Sequence, residues 1–138
     1  MLRPTTMLLV EDNPGDVLLT AEMIEEMELS VALSSIKDGA EAMEFMRRCQ
    51  KGEEEVPDII LLDINLQRGS GLDVLRAARE HERTAQAYIA IYSGSNSPQD
   101  MQRAEQFGAD AYLLKPMTMD EIERTSDLVR AIILERRN

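Results

Sequence analysis

Two apolar runs in this chain stop on carboxylates. Ile59-Ile60-Leu61-Leu62 runs straight into Asp63, and Met7-Leu8-Leu9-Val10 runs into the pair Glu11-Asp12. Three acids that converge with few basic residues nearby, and with no cluster of Cys or His, make a hard-oxygen site better matched to Mg2+ than to zinc. Two further apolar runs end on groups able to act beside them: Ser93, a hydroxyl, and Lys115, a cation followed directly by Pro116. The sole histidine, His81, lies late in a polar helical stretch and reads as exposed surface. Ser93 therefore has no base to activate it, and a hydrolase triad is excluded. Cys49, the single cysteine, has no CxxC partner or neighbouring His and reads as a free thiol. The chemistry left to these groups is phosphoryl transfer by positioning and charge, using a carboxylate that attacks or is attacked, a metal, a hydroxyl and a lysine.

Such groups need a frame that delivers them to one place. The run from Asp58 to Leu62 has no polar alternation, as a strand covered on both faces requires, and Asp58 reads as the residue that orients its start. Residues 6 to 10 read as a first strand. Ser30 to Ile36, alternating apolar and small polar side chains, reads as a strand on or near the edge of a sheet. Ala87 to Tyr92 and Ala111 to Leu114 supply the fourth and fifth. Helices are expected between them. The first opens at Asn13-Pro14-Gly15-Asp16 and runs to about Met27, with Asp16 in the first turn where the helix dipole favours an acid. Ala40 to Gln50 and Leu72 to about Glu82 follow, with Gln67-Arg68-Gly69-Ser70-Gly71 as a glycine-bearing loop before the second of these. Ser97 caps a helix with Pro98 at its first position, ending near Phe107-Gly108, and Thr118-Met119-Asp120-Glu121 is a capping box for the last. Five strands alternating with five helices argue for an α/β domain, a parallel sheet with helices on both faces. Right-handed crossovers put every strand tip, and with it Glu11, Asp12, Asp63, Ser93 and Lys115, on one edge.

Length and charge narrow the classes. At 138 residues a single domain is expected, with no output domain beside it. The chain carries 15 basic and 26 acidic residues for a formal charge of −11, which argues against direct nucleic-acid binding because that needs a basic footprint. No apolar run approaches the roughly 18 residues of a membrane span, and no signal pattern opens the chain. A cytoplasmic protein is expected.

Taken in order at the five strand ends, these residues resemble those of a two-component response-regulator receiver domain, and the resemblance covers nearly the whole of residues 1–138. Glu11-Asp12 resembles that family's acidic metal pair, Asp63 its phosphoacceptor and Ser93 its switch hydroxyl. Lys115-Pro116 resembles its lysine and the following proline, whose peptide bond is expected to be cis. Tyr112 matches the aromatic that changes rotamer on activation, and Gly71 the glycine of the loop after the phosphoacceptor. The resemblance implies a flavodoxin-like (βα)5 doubly wound fold with a five-stranded parallel sheet in the order 2-1-3-4-5. It implies that Asp12, Asp63 and the backbone carbonyl of Asn65 hold Mg2+, with Glu11 acting mainly through water. Asp63 would take a phosphoryl group from phosphohistidine on a sensor histidine kinase, with Lys115 and Ser93 engaging phosphoryl oxygens and Tyr112 moving into space that the loop vacates. Asn65 and Ser95 would flank the phosphoryl group and tune its hydrolysis. On this reading the protein is a switch rather than an enzyme.

The sequence departs from the common pattern at Gln67, where many relatives carry proline, at Ser93 in place of threonine, and at Met117 in place of phenylalanine. The long loop from Asn65 to Gly71, with Asn13-Pro14-Gly15-Asp16, resembles the stand-alone regulators paired with phytochrome-type sensor kinases. Output would be a protein contact on the face of the fourth helix, fifth strand and last helix. Ile132-Ile133-Leu134 is wider than one buried stripe needs; it either packs deeply or forms a homodimer seam, the seam being the favoured reading.

Three other readings use the same residues. A small Mg2+-dependent phosphatase wants a second acid two residues beyond the nucleophile, where this chain has Asn65. A flavodoxin-like cofactor binder wants Ser, Thr and Gly after the first strand, where this chain has Glu11-Asp12-Asn13-Pro14. A degenerate receiver serving only as a docking module fits poorly with the intact set Asp12, Asp63, Ser93 and Lys115.

Overall fold

Alternation along each strand sorts the apolar runs onto the two faces of one sheet. In chain order the elements are β1 (Thr5–Val10), α1 (Pro14–Glu26), β2 (Val31–Ile36), α2 (Gly39–Gln50), β3 (Ile59–Leu62), β4 (Asn65–Leu66), β5 (Gly69–Ser70), α3 (Gly71–Arg79), β6 (Tyr88–Ser93), α4 (Pro98–Gln106), β7 (Ala111–Leu114) and α5 (Met119–Arg137). The computed structural model describes residues 4–28, 30–116 and 118–137, without the side chains of 136 and 137. Met117 lies outside the described residues.

Leu8, Val10, Ile60, Leu62, Ile89 and Ile91 point to one face and pack with Ala42 and Met46 of α2, Leu72, Leu75 and Ala78 of α3, and Ala104 of α4. Their sequence neighbours Met7, Leu9, Ile59, Leu61, Ala90 and Tyr92 point to the other face, against Ile24 of α1 and Val129 of α5. A strand buried on both sides loses the polar alternation of a half-exposed one, which is why β1, β3 and β6 read as continuous apolar runs. Each fully buried Leu or Ile contributes on the order of 2 kcal/mol of transfer free energy.

The large sheet has the order β2-β1-β3-β6-β7, with every neighbouring pair parallel. This is the flavodoxin-like order 2-1-3-4-5 for the five main strands. β2 lies at the edge, as its mixed burial pattern requires. Asp58 orients the start of β3: its Oδ2 accepts from the Thr6 amide at 2.8 Å and from the Thr6 hydroxyl at 3.1 Å.

Three features differ from the sequence expectations. The loop after β3 contains a two-residue antiparallel ribbon, β4 with β5, pairing Asn65 with Ser70. α3 stops at Arg79 rather than near Glu82. The reason is Arg79 itself, whose guanidinium donates to the carbonyls of Ala87 at 2.7 Å, Ala85 at 2.8 Å and Gly108 at 2.9 Å, and pairs with Asp110 at 2.7 Å. The chain beyond Arg79 turns back around these bonds, and the buried Thr84 hydroxyl donates to the Ala78 carbonyl at 2.6 Å. His81 is consequently half-buried rather than exposed, with Nδ1 accepting from the Arg83 amide at 3.1 Å.

Candidate functional site

The register of the sheet decides which tips meet. Val10 of β1 is level with Leu62 of β3, so the next residues, Glu11 and Asp63, leave the sheet side by side. Backbone bonds fix both exits: the Asp63 amide donates to the Val10 carbonyl at 3.0 Å and the Glu11 amide to the Ile36 carbonyl at 2.9 Å. On the other side Ser93 is level with Leu114, and the Lys115 amide donates to the Ser93 carbonyl at 2.9 Å. The Lys115–Pro116 peptide bond is cis.

Lys115 reaches across the sheet edge to the acids. Its Nζ donates to Asp63 Oδ2 at 2.8 Å, to Glu11 Oε1, and to Asp16 Oδ2 at 3.2 Å. It also lies 5.6 Å from the centroid of the Tyr92 ring. Burial works against the ammonium charge, but the hydrogen bonds to Asp63 and Glu11 outweigh it and raise the lysine above its ordinary pKa. Glu11, only 2% exposed, is raised above the usual carboxylate range by burial, a shift opposed by the Lys115 bond and by the Asn13 amide. Carboxylate oxygens of Glu11, Asp12 and Asp63 lie within 4.8 Å of one another. With Asp16, four carboxylates face one ammonium. That surplus of negative charge, presented by oxygen donors alone, fits a hard divalent cation of the Mg2+ type.

Asp16 is the member that sequence reasoning placed only in a helix first turn. Asn13 caps α1, its Oδ1 accepting from the Gly15 amide at 2.8 Å and the Asp16 amide at 3.3 Å. The helix therefore begins at the site. The local sequence offered only its place in the first turn of α1, and the contact that brings it into the site comes from Lys115.

Asn65, assigned a metal-binding carbonyl and a tuning role, is exposed on the ribbon. Two contacts pin that ribbon to the start of α2: the Gly39 amide donates to the Gln67 carbonyl at 2.9 Å, and Arg68 pairs with Asp38 at 2.6 Å. Asp38 also caps α2 through the Glu41 amide at 2.8 Å, and the Arg68 guanidinium followed by that amide holds its carboxyl below the usual range. Gly71 is required by close approach, because a Cβ there would sit 2.0 Å from the Asp63 carbonyl oxygen.

Ser93 is 1% exposed at the tip of β6. It and Tyr112 are joined to each other rather than to the acids, through Ser95. The Ser95 amide donates to Ser93 Oγ at 3.2 Å, and the Tyr112 hydroxyl donates to the Ser95 carbonyl at 2.8 Å.

Comparison with known proteins fits this geometry. The chain is 27% identical over 135 residues to response regulator Rcp1 of Synechocystis, covering 96% of this chain and 90% of Rcp1. The crystal structure of the Mn(2+)-bound form of Rcp1 superposes with a TM-score of 0.78 at 24% identity, covering 96% of each chain. The bacteriophytochrome response regulator RtBRR is 28% identical with a TM-score of 0.76, over 94% of this chain and 78% of that one. The receiver domain of sensor histidine kinase PA1611 from Pseudomonas aeruginosa, solved with magnesium in its active-site cleft, is 25% identical with a TM-score of 0.74, over 91% and 97%. No helix among the described residues is long and apolar enough to cross a membrane. The response regulator receiver domain family matches residues 7–127, and with its sheet order and convergent acids the chain belongs to that family of phosphoacceptor switches, which sensor histidine kinases phosphorylate.

Proposed function

We propose that residues 1–138 act as one stand-alone receiver that takes a phosphoryl group onto Asp63. The observation that carries this reading is the meeting of Asp63 and Lys115 at 2.8 Å within the cluster of Glu11, Asp12 and Asp63. Asp12, Asp63 and the Asn65 carbonyl would hold Mg2+, with Glu11 acting through water. Bound there, the cation supplies charge neutralisation for the incoming phosphoryl oxygens. An Asp63 carboxylate oxygen forms the new O–P bond as the N–P bond of a phosphohistidine breaks, and the imidazole leaves with the electron pair of that bond. Lys115 exchanges part of its bonding with Asp63 for a phosphoryl oxygen. Ser93 donates its hydroxyl hydrogen to another, and Asn65 and Ser95 tune the lifetime of the acyl phosphate.

The phosphoryl donor is a sensor histidine kinase, and the likeness to RtBRR supports one of phytochrome type. The apolar end of α5 supports a homodimer seam, since Ile132 and Ile133 are half-buried and Leu134 is 58% exposed. Beryllofluoride with Mg2+ tests the site without a kinase. Binding in the wild-type chain that is lost in Asp63→Asn and weakened in Asp12→Asn supports the assignment, whereas binding unchanged in Asp63→Asn overturns it.

A further inference from the structure

All the hydrogen-bonding atoms of Ser95 are committed, and they reach three different elements. Its amide is on Ser93 Oγ at 3.2 Å and its carbonyl accepts from the Tyr112 hydroxyl at 2.8 Å. Its own hydroxyl donates to Asp100 Oδ2 at 2.7 Å and accepts from the Ser97 amide at 3.3 Å. Asp100 lies in the first turn of α4, and its amide donates back to the cap hydroxyl of Ser97 at 3.4 Å. In an ordinary capping box the acid at this position bonds the cap amide directly. Here the Ser95 hydroxyl is inserted between them, so the start of α4 grips the loop that contacts Ser93 and Tyr112.

We propose that Asp100 is a positioning residue for the switch, acting through Ser95 to hold the Ser93 hydroxyl and the Tyr112 ring in one joint arrangement. The inference rests on Asp63 being the phosphoacceptor, and it adds a residue on α4 that touches neither the phosphoryl group nor the metal. The bond from Ser95 to a carboxylate is charge-assisted and short, stronger than the neutral bonds around it. It is therefore the one whose removal frees the loop. The side chains of Ser95 and Asp100 are both half-buried, so water screens this bond less than it would a bond on the surface. Without Asp100 the Ser95 hydroxyl loses its acceptor, and the carbonyl that holds Tyr112 and the amide that holds Ser93 lose a common anchor. Asp100→Asn keeps an acceptor oxygen at the same place, whereas Asp100→Ala does not.

The test uses the full chain labelled with fluorotyrosine, the Tyr112 signal being assigned with Tyr112→Phe. Fluorine NMR is read beside phosphorylation by phosphoramidate with Mg2+. Asp100→Ala and Ser95→Ala should shift or split the Tyr112 resonance in the same way and change the phosphorylation rate by a similar factor, roughly fivefold as for one net hydrogen bond. The double variant should do no more than either single one, and Asp100→Asn should restore most of the wild-type behaviour. A Tyr112 signal and rate unchanged in Asp100→Ala, or single effects that add in the double variant, would overturn the proposal. A wild-type chain that takes up no phosphoryl group would overturn the receiver reading itself. The Tyr112 resonance would then still decide whether Asp100 holds the ring.

Discussion

Lys115 Nζ donates to Asp63 Oδ2 at 2.8 Å, so the proposed phosphoacceptor and the ammonium that would bind a phosphoryl oxygen are already in contact before any phosphoryl group arrives. The same ammonium bonds Glu11 and Asp16, which leaves it holding together acids that would otherwise repel. This contact separates two functions of the site. Lys115→Met should lower the rate of phosphorylation by phosphoramidate roughly a hundredfold, the scale of losing one preorganised charge donor. The same change removes a cation from beside the metal acids, so Mg2+ measured by calorimetry should bind more tightly, not less. A parallel fall in both would mean that Lys115 only supports the fold.

Gly71 predicts a packing penalty at the same place. Its absent Cβ leaves room for the Asp63 carbonyl, 2.0 Å from where that atom would stand. Gly71→Ala must push the start of α3 off the end of β3, at a cost of about 2–3 kcal/mol. Urea unfolding gives the stability loss. Phosphorylation should slow as well, because Asp63 is displaced.

How much of this was legible in the sequence depended on range. The strands β1, β3 and β6 announce themselves because burial on both faces demands unbroken apolar runs, and their ends name Glu11, Asp12, Asp63 and Ser93 without any tertiary information. Asp16 was read only as a favourable first-turn acid, since its bond to Lys115 joins residues 99 apart. Nothing in the local sequence marks Arg79 as more than one residue of a helix. Its acceptors are carbonyls from two turns that converge only in the folded chain. The shortened α3 and the half-buried His81 follow from that clamp and were hidden with it. The β4–β5 ribbon has two residues per strand, too short for any period to register.

The Arg79 clamp carries its own prediction. Its side chain is only 18% exposed, and removing it takes a donor from each of the carbonyls of Ala85, Ala87 and Gly108. Arg79→Met should destabilise the domain by roughly 2–4 kcal/mol, read from the urea midpoint. Arg79→Lys, with one donor centre in place of the guanidinium fork, should recover only part of this.

Asp38 gives the pH dependence. Arg68, and after it the Glu41 amide, hold its carboxyl below the usual range in the native chain. A carboxyl depressed on folding stabilises the protein above its unfolded value of about 3.9, and that contribution fades as pH falls through the native value. Asp38→Asn should therefore be less stable than wild type at neutral pH, and the gap should close as urea unfolding is repeated down to about pH 2.5. A gap constant with pH would leave the loss to capping geometry alone.

Cys49 should be inert. It is 1% exposed, and burial followed by the nearby Glu54 pushes its thiol up to about 11. Alkylation by iodoacetamide near neutral pH requires thiolate and access, so labelling should track global unfolding in urea rather than precede it. Fast labelling of the native chain would show that the α2 end opens locally.

The most direct measurement is the intact mass of the chain after incubation with phosphoramidate and Mg2+, beside Asp63→Asn. Phosphorylation at Asp63 would give a gain of one phosphoryl group that is abolished by EDTA, absent from the variant and released by mild base, as an acyl phosphate is. No gain in the wild-type chain, or an equal gain in Asp63→Asn, would contradict it.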